Sequence, residues 1–375
     1  MYKVLTIVGT RPELIKLSAT VPKFDECFNH MFVHTGQNYD KRLAEVFYDD
    51  LNLRKPDKFL NVATSNLADD IGNIISKSDQ ILSQFEPDAM LVLGDTNSCL
   101  SVISAKRRKI PIFHLEAGNR CYDQNVPEEI NRKIIDHISD INLTYSQIAK
   151  QNLIREGLPN QNTICIGSPM KEVLDRQKAR IENSEILTRL GLTPGSFFLA
   201  SAHREENVDD EANLLRLLGS FEKLSNQHKK PIVFSVHPRT QKRISAVNYK
   251  LSQNIQLHPP FSFSEYAKLQ KNARCVLSDS GTLTEEASLM GFPAVNIRNT
   301  HERPEGDEQG ICILSGLSYE SISQAVELQV GFYNSSASPP FVRDYEVNSV
   351  STKLVKIISS YIGYVNRNTW RKSVI

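Results

Sequence analysis

No stretch of the 375-residue sequence approaches the roughly 20 consecutive apolar residues that a helix needs to cross a bilayer. No membrane-spanning helix is expected, and the N-terminal MYKVLTIVGTRPE has neither the basic leader nor the small-residue cleavage site of a secretory signal. The expected location is the cytoplasm. Charge of one sign is equally scarce, because 44 Lys and Arg against 43 Asp and Glu leave a net +1. Neither nucleic acid nor a membrane surface is indicated as a partner. The six cysteines, Cys27, Cys99, Cys121, Cys165, Cys275 and Cys312, include no CxxC pair. That spacing suits reduced, mostly buried thiols rather than a disulfide framework or a zinc site. Also missing are GxGxxG, the P-loop lysine motif, HExxH and GxSxG, so nicotinamide, P-loop, zincin and serine-hydrolase chemistries lose their main supports.

What the chain does have is length and rhythm. It is too long for one ordinary core and suits two domains. Short apolar runs recur at 3–9, 31–36, 89–95, 110–118, 141–146 and 163–169, with helical patterns between them. After a polar helical stretch a second series follows at 197–203, 231–237, 275–281 and 293–298. This is the pattern of βαβ units, and the economical reading is two doubly wound, Rossmann-like parallel-sheet α/β domains. The divisions read from the sequence are 1–168, 169–356 and a C-terminal helical segment, 357–375, expected to cross back to the first domain.

In such sheets ligands bind beyond the carboxyl ends of the strands, and those ends are loaded with polar residues. Asp95 follows LVLG, Glu116 follows FHL, and Arg11 follows VGT with Lys16 one turn later. Asp95 can stand beside a substrate or cap the following helix. Pro127 suits a first helical position, and from there Ile130, Ile134, Ile135 and Ile138 read as one apolar stripe. Glu128 and Arg132 fall on the opposite face, as an exposed i,i+4 ion pair or as groups turned toward a crevice. Carboxylates that converge at one place would push at least one pKa up and let one act as acid while another acts as base. In the second half, SDSGTLTEE reads as a strand, then Ser280-Gly281-Thr282, then a helix, a phosphate-binding arrangement. Glu286 flanks that helix's buried stripe while Glu285 points away, and Glu286 suits ribose hydroxyls. His203 and His237 each close an apolar run and can bind phosphate or move a proton, and Arg303 is a basic group that follows the last long run.

Taken together, GTRPE, GDT, HLEAG, PEEINR, AHREEN, SDSGTLTEE and ERPEG resemble, in order and approximate spacing over essentially the whole chain, the non-hydrolysing UDP-N-acetylglucosamine 2-epimerase family. The resemblance implies a glycosyltransferase-B-like fold with its active site in an interdomain cleft, a UDP-sugar substrate, a homodimer, and no metal or nicotinamide cofactor. It places Asp95, Glu116, Glu128 and His203 in catalysis. Arg11, Lys16, Arg132, His237, Tyr266, Ser280, Gly281, Thr282, Glu286 and Arg303 are placed in substrate binding. The sequence departs from the common family form at TGQNYDK, NRCYDQNVPEE and IGSPM. These departures resemble the capsule and O-antigen subgroup that converts UDP-2-acetamido-2,6-dideoxy-L-talose to UDP-N-acetyl-L-fucosamine, the expected reaction here. Rival expectations are UDP-N-acetylglucosamine/UDP-N-acetylmannosamine epimerisation and, from another class, glycosyl transfer from a UDP-sugar.

Overall fold

Strands that are apolar on both faces need helices above and below them, and parallel crossover connections supply those helices. The computed structural model describes residues 1–36, 47–247, 249–335 and 339–372. The chain forms two compact units, Met1–Arg176 with Asp344–Ile375, and Gln177–Arg343. These divisions differ from those read from the sequence because Glu172 accepts from Ser351 N at 2.9 Å and Asp344 from Gln147 N at 2.8 Å. Both bonds tie chain beyond residue 168, and chain before residue 357, to the first unit.

The first unit is built on a seven-stranded parallel sheet of order β3-β2-β1-β4-β5-β6-β7. Its strands are β1 (Lys3–Val8), β2 (Asn29–His34), β3 (Lys58–Phe59), β4 (Ala89–Leu93), β5 (Ile112–Leu115), β6 (Ile141–Thr144) and β7 (Thr163–Cys165). Leu5, Ile7, Val33, Met90, Val92 and Ile112 pack beneath Ile74, Leu82, Val102 and Ile135 from the helices. The helix Val350–Asn368 buries Leu354, Ile358, Ile362 and Val365, a stripe at helical spacing. It packs on the helix Thr20–Cys27.

The second unit has a six-stranded parallel sheet of order β10-β9-β8-β11-β12-β13. The strands are β8 (Phe198–Ser201), β9 (Ile232–Ser235), β10 (Ile255–His258), β11 (Val276–Ser278), β12 (Ala294–Asn296) and β13 (Ile313–Leu314). Phe198, Phe234, Leu277 and Val295 meet Leu217, Phe221, Ile322 and Val326 of the covering helices. In each sheet the strand order reverses once, between β1 and β4 and between β8 and β11. Loops splay apart at such a switch point and leave room for a ligand. β3, β10 and β13 go unnoticed in the sequence because these edge strands are only two to four residues long and mostly half-exposed or exposed. Among the described residues no helix is long and apolar enough to cross a membrane.

One helix is turned differently from the expectation. In Pro127–Ile138, Ile130 and Ile134 are exposed, while Glu129, Asn131, Arg132, Ile135 and Asp136 are buried. The apolar-stripe reading assumes that polar residues face water. Here the inward polar groups meet partners of opposite charge, which offsets their loss of hydration.

Gly167 closes β7 at φ +90°, where an added Cβ would stand 2.8 Å from Val347 Cβ and 3.0 Å from the Asp344 carbonyl. Gly167→Ala should therefore combine left-handed strain with overpacking of the returning segment and destabilise by about 2–4 kcal/mol. Urea denaturation monitored by circular dichroism checks this.

Candidate active site

Residues at the open end of the first sheet are held by charge pairing. Lys16, on the helix Arg11–Leu17 that follows β1, is buried and its Nζ lies 2.6 Å from Glu116 Oε2 just past β5. The ammonium also sits over the Tyr145 ring, 5.4 Å from its centre. Glu116 itself has φ +71°, a left-handed conformation that side-chain-bearing residues rarely adopt. That backbone, together with the Lys16 pair, fixes where its carboxylate points.

Arg132 joins the next two elements. Its Nε donates to Asp95 Oδ2 at 2.8 Å and its Nη1 to Glu129 Oε2 at 2.8 Å, and the residue is only 1% exposed. Asn131 adds bonds of 2.9 Å to the Asp95 carbonyl and to Asn97. Glu129 in turn accepts from the backbone N–H groups of Cys121 and Tyr122, at 3.1 and 3.3 Å. The loop 118–126 is thereby anchored to the helix that carries Glu128 and Arg132. Glu128 is half-buried and Asp95 likewise. Beneath them, His114 lies 2.8 Å from the Gly94 carbonyl and 2.8 Å from Asp136. Arg120 donates to Asp136 at 2.7 Å and to Glu156 at 2.6 Å. Burial would raise the Asp136 carboxyl, but His114 and Arg120 outweigh it and hold the pKa below its ordinary value. Arg11 is exposed and lies over the Phe47 ring, 4.7 Å from its centre.

The second unit organises a different set. Asp279, fully buried after β11, accepts from the backbone N–H groups of His203 and Arg204 and from Asn207 at 3.0–3.1 Å. Its carboxylate is 3.0 Å from His203 Nδ1, and the imidazole is 46% exposed, so one edge is fixed and the other meets solvent. Burial pushes the Asp279 carboxyl up, yet His203 and these donors prevail and set its pKa at about 2. Ser280 Oγ and Thr282 Oγ1 are 3.0 Å apart at the start of the helix Leu283–Met290. A Cβ on Gly281 would fall 2.3 Å from Glu302 Oε1, so a larger residue there would displace that carboxylate. Backbone amides at such a helix start suit a diphosphate.

Glu286 is 8% exposed and accepts from Gln270 at 2.5 Å. Glu285 does not point away from the core: it is fully buried and accepts from Arg303 Nη2 at 2.9 Å. Adjacent positions on this short helix are therefore both sheltered, because Arg303 supplies a buried countercharge. Tyr266 donates to Ser201 Oγ at 3.0 Å, which joins it to the end of β8. His237 is exposed and caps the helix Pro238–Ala246 through a 3.3 Å bond from Arg239 N.

In the first unit, then, Lys16 meets Glu116 and Arg132 meets Asp95. In the second, His203, Ser280, Gly281 and Thr282 follow the two strands flanking the switch point. His237 follows β9, one strand further out. Residues 37–41 of TGQNYDK lie outside the described residues. Sequence reasoning missed the structural carboxylates Glu129 and Asp136, and marked Asp279 only as one of the polar strand ends, without a role. Asp279 had a signal, as the last residue of an apolar run directly before Ser-Gly-Thr. Among the described residues no cluster of His, Cys, Asp and Glu is placed to hold a metal ion.

Residues 23–359 match the family model described as UDP-N-acetylglucosamine 2-epimerase. A solved structure of UDP-N-acetylglucosamine 2-epimerase from Rickettsia bellii is similar at TM-score 0.93 with 52% identity, covering 99% of this chain and 100% of that one. The Methanocaldococcus jannaschii UDP-GlcNAc 2-epimerase, in complex with UDP-GlcNAc and UDP, is similar at TM-score 0.89 with 31% identity, covering 96% and 99%. A Pseudomonas aeruginosa UDP-2,3-diacetamido-2,3-dideoxy-D-glucuronate 2-epimerase is 31% identical over 88% of this chain and 92% of its own. A spinosyn rhamnosyltransferase, at 12% identity and TM-score 0.50, shares the glycosyltransferase-B-like fold alone.

Two outcomes follow from the charge pairing. Arg132→Met leaves Asp95 and Glu129 without their shared cation and should cost about 3–5 kcal/mol, read by urea denaturation. Asp279 has a folded pKa of about 2 against an ordinary 3.8, so its contribution is fully present above about pH 4 and lost as pH falls through about 2. Asp279→Asn should therefore be roughly 2 kcal/mol less stable than the parent at pH 7, with the gap narrowing at about pH 3. Denaturation midpoints at both pH values check it.

Proposed function

The chain belongs to the UDP-N-acetylglucosamine 2-epimerase family and is a UDP-sugar 2-epimerase; on that premise we propose that its substrate is UDP-2-acetamido-2,6-dideoxy-L-talose, converted to UDP-N-acetyl-L-fucosamine. The observation that carries this choice is the loop 118–126. Its sequence, GNRCYDQNV, departs from the common family form, and its backbone hangs on Glu129, one residue from Glu128 and one turn from Arg132. A changed loop bonded to the helix that carries candidate catalytic groups is where a change of sugar would be accommodated. The product suits capsule or O-antigen synthesis in the cytoplasm. The reading also takes the enzyme as a homodimer, an assignment that a monomer mass by light scattering would remove.

Carbon-2 of the sugar has no neighbouring carbonyl, so its proton is too weakly acidic for simple removal and return. In the proposed route a carboxylate takes that proton as the bond from carbon-1 to UDP breaks. The C–H electrons form the carbon-1 to carbon-2 double bond of a glycal, and UDP departs with the pair from its own bond. A second carboxyl then gives a proton to carbon-2 from the opposite face while a UDP oxygen rebonds to carbon-1. Asp95, Glu116 and Glu128 carry the proton transfers. His203, Arg11 and the helix start at Ser280 hold the departing diphosphate, where fixed donors stabilise developing charge. Lys16 keeps Glu116 oriented, Arg132 does so for Asp95, and Gly281, Thr282, Glu286, Arg303 and Tyr266 serve the nucleotide. His237 is assigned to the nucleotide-sugar as well.

A second reading, UDP-N-acetylglucosamine as substrate, is favoured by the name of the Rickettsia bellii relative. Carbon-2 exchange by NMR in deuterated buffer, with both nucleotides offered in parallel, decides between them. Labelled UDP-N-acetyl-L-fucosamine from the L-talose substrate alone supports the proposal. Turnover of only the second nucleotide replaces the substrate, and no exchange with either overturns both substrate readings. Glu116→Gln should lose at least about a hundredfold in kcat with UDP affinity by calorimetry nearly unchanged. Full retained activity would remove Glu116 from the mechanism.

A further inference from the structure

Glu13 has no part in the scheme above, yet it is 1% exposed and sits at a junction. Its Oε2 accepts from Gly9 N at 3.0 Å, from Thr10 N at 2.7 Å and from Thr10 Oγ1 at 2.7 Å. Its Oε1 accepts from Thr96 Oγ1 at 3.2 Å and lies 3.8 Å from Cys99 Sγ. One carboxylate thus spans two loops, the one after β1 that carries Arg11 and the one after β4 that carries Asp95. Local capping of the helix Arg11–Leu17 accounts for Oε2. It does not account for Oε1, which reaches across 83 residues to the other loop.

We propose that Glu13 is a positioning residue whose carboxylate ties the Arg11 loop to the Asp95 loop, and whose protonation slackens that tie and lowers turnover at acid pH. The inference rests on Arg11 and Asp95 serving carbon-2 epimerisation. Every group around the carboxylate is a donor: two amides, two hydroxyls and a thiol. Ionised, Glu13 accepts from all of them. Protonated, its O–H must face a donor, and only a threonine hydroxyl can turn to accept it. Thr96 is then the group that turns from donor to acceptor, since the Thr10 hydroxyl shares Oε2 with both amides, and the charge-assisted bond across the two loops becomes a weaker neutral one.

Burial raises the Glu13 carboxyl to about 7, against the opposing pull of its bonds to Thr10, Gly9 and Thr96. The charged groups around it are otherwise engaged. On its own helix Lys16 pairs with Glu116 at 2.6 Å and Arg11 lies over Phe47. From the loop after β4 come Asp95, paired with Arg132, and Cys99, whose thiol is pushed well above its ordinary value by burial and by Glu13 and Asp95. The folded protein therefore binds this proton more tightly than the unfolded chain, whose carboxyl titrates near 4.5. Stability from this group falls as pH rises from about 4.5 through about 7, which is the trade expected of a group kept for activity.

The test compares the wild type with Glu13→Gln from about pH 5.5 to about pH 8.5, reading solvent deuterium at carbon-2 with whichever of the two nucleotides the wild type turns over. Glutamine still accepts from the amides and donates toward Thr96, so it copies the protonated carboxyl. We expect kcat/KM at least about tenfold below wild type near pH 8 but within about twofold near pH 5.5, with the acid limb gone from the variant's profile. UDP affinity should stay within about twofold, and the variant's Tm near pH 8 should equal or exceed that of wild type. A variant profile that equals or merely parallels the wild-type one overturns the proposal. Thr96→Val cuts the far end of the tie alone and should lower kcat at least about fivefold near pH 8. Unchanged kcat in that variant overturns the proposal as well. A wild type that exchanges with neither nucleotide removes the functional reading and this inference with it, whereas an active wild type with an indifferent Glu13→Gln removes the inference alone.

Discussion

A charge placed where a buried parallel strand ends has to find a countercharge or a set of donors, and both units of this protein are arranged around that requirement. An isolated carboxylate moved out of water would shift its pKa and neutralise. Here Glu116 has Lys16, Asp95 and Glu129 share Arg132, Asp136 has His114 and Arg120, and Asp279 has His203 with backbone donors. The pairing fixes position as well as charge. Arg132 can reach two carboxylates because its planar fork presents separated N–H groups, a geometry that a lysine ammonium does not offer.

The second unit meets the same requirement with buried ion pairs such as Arg303–Glu285 and, at Asp279, with main-chain donors as well. Asp279 draws on His203 first and then on main-chain N–H groups and Asn207, and the ion pair leaves the imidazole partly in solvent. That difference suits the two tasks assigned to the units. Groups that move protons at carbon need their carboxylates held at defined distances, so paired cations serve well. A diphosphate, whose charge is spread over several oxygens, is better met by amides at a helix start and an exposed imidazole.

The order of apolar runs made most of the fold legible in the sequence, since a strand buried on both faces has no other pattern to show. The edge strands β3, β10 and β13 were not legible, because a strand exposed along one side needs no such run. The loaded strand ends pointed to Asp95, Glu116, Ser280 and His203, whose neighbours in sequence mark them. The orientation of the helix Pro127–Ile138 was hidden for a physical reason. Arg132 faces inward only because Asp95, 37 residues earlier, is there to receive it, and a helical period carries no information about that partner. Glu13 was hidden in the same way: GTRPE advertises its arginine, while the glutamate's role depends on Thr96.

Backbone strain shows where this arrangement was not free to relax. Glu116 and Tyr122, six residues apart, both have positive φ, +71° and +58°. Such conformations cost of order 1–3 kcal/mol each and persist only where neighbouring interactions over-determine them. Glycine would remove the strain at residue 116, but it would also remove the carboxylate that meets Lys16. At residue 122 the backbone N–H is held by Glu129 and the phenol donates to Asn152, whose own amide donates to the Gly118 carbonyl. The loop is therefore held at Gly118 by Asn152 and at Cys121 and Tyr122 by Glu129, itself a partner of Arg132. Because Glu129 meets both these loop amides and Arg132, the loop and the placement of Asp95 are coupled through a buried guanidinium.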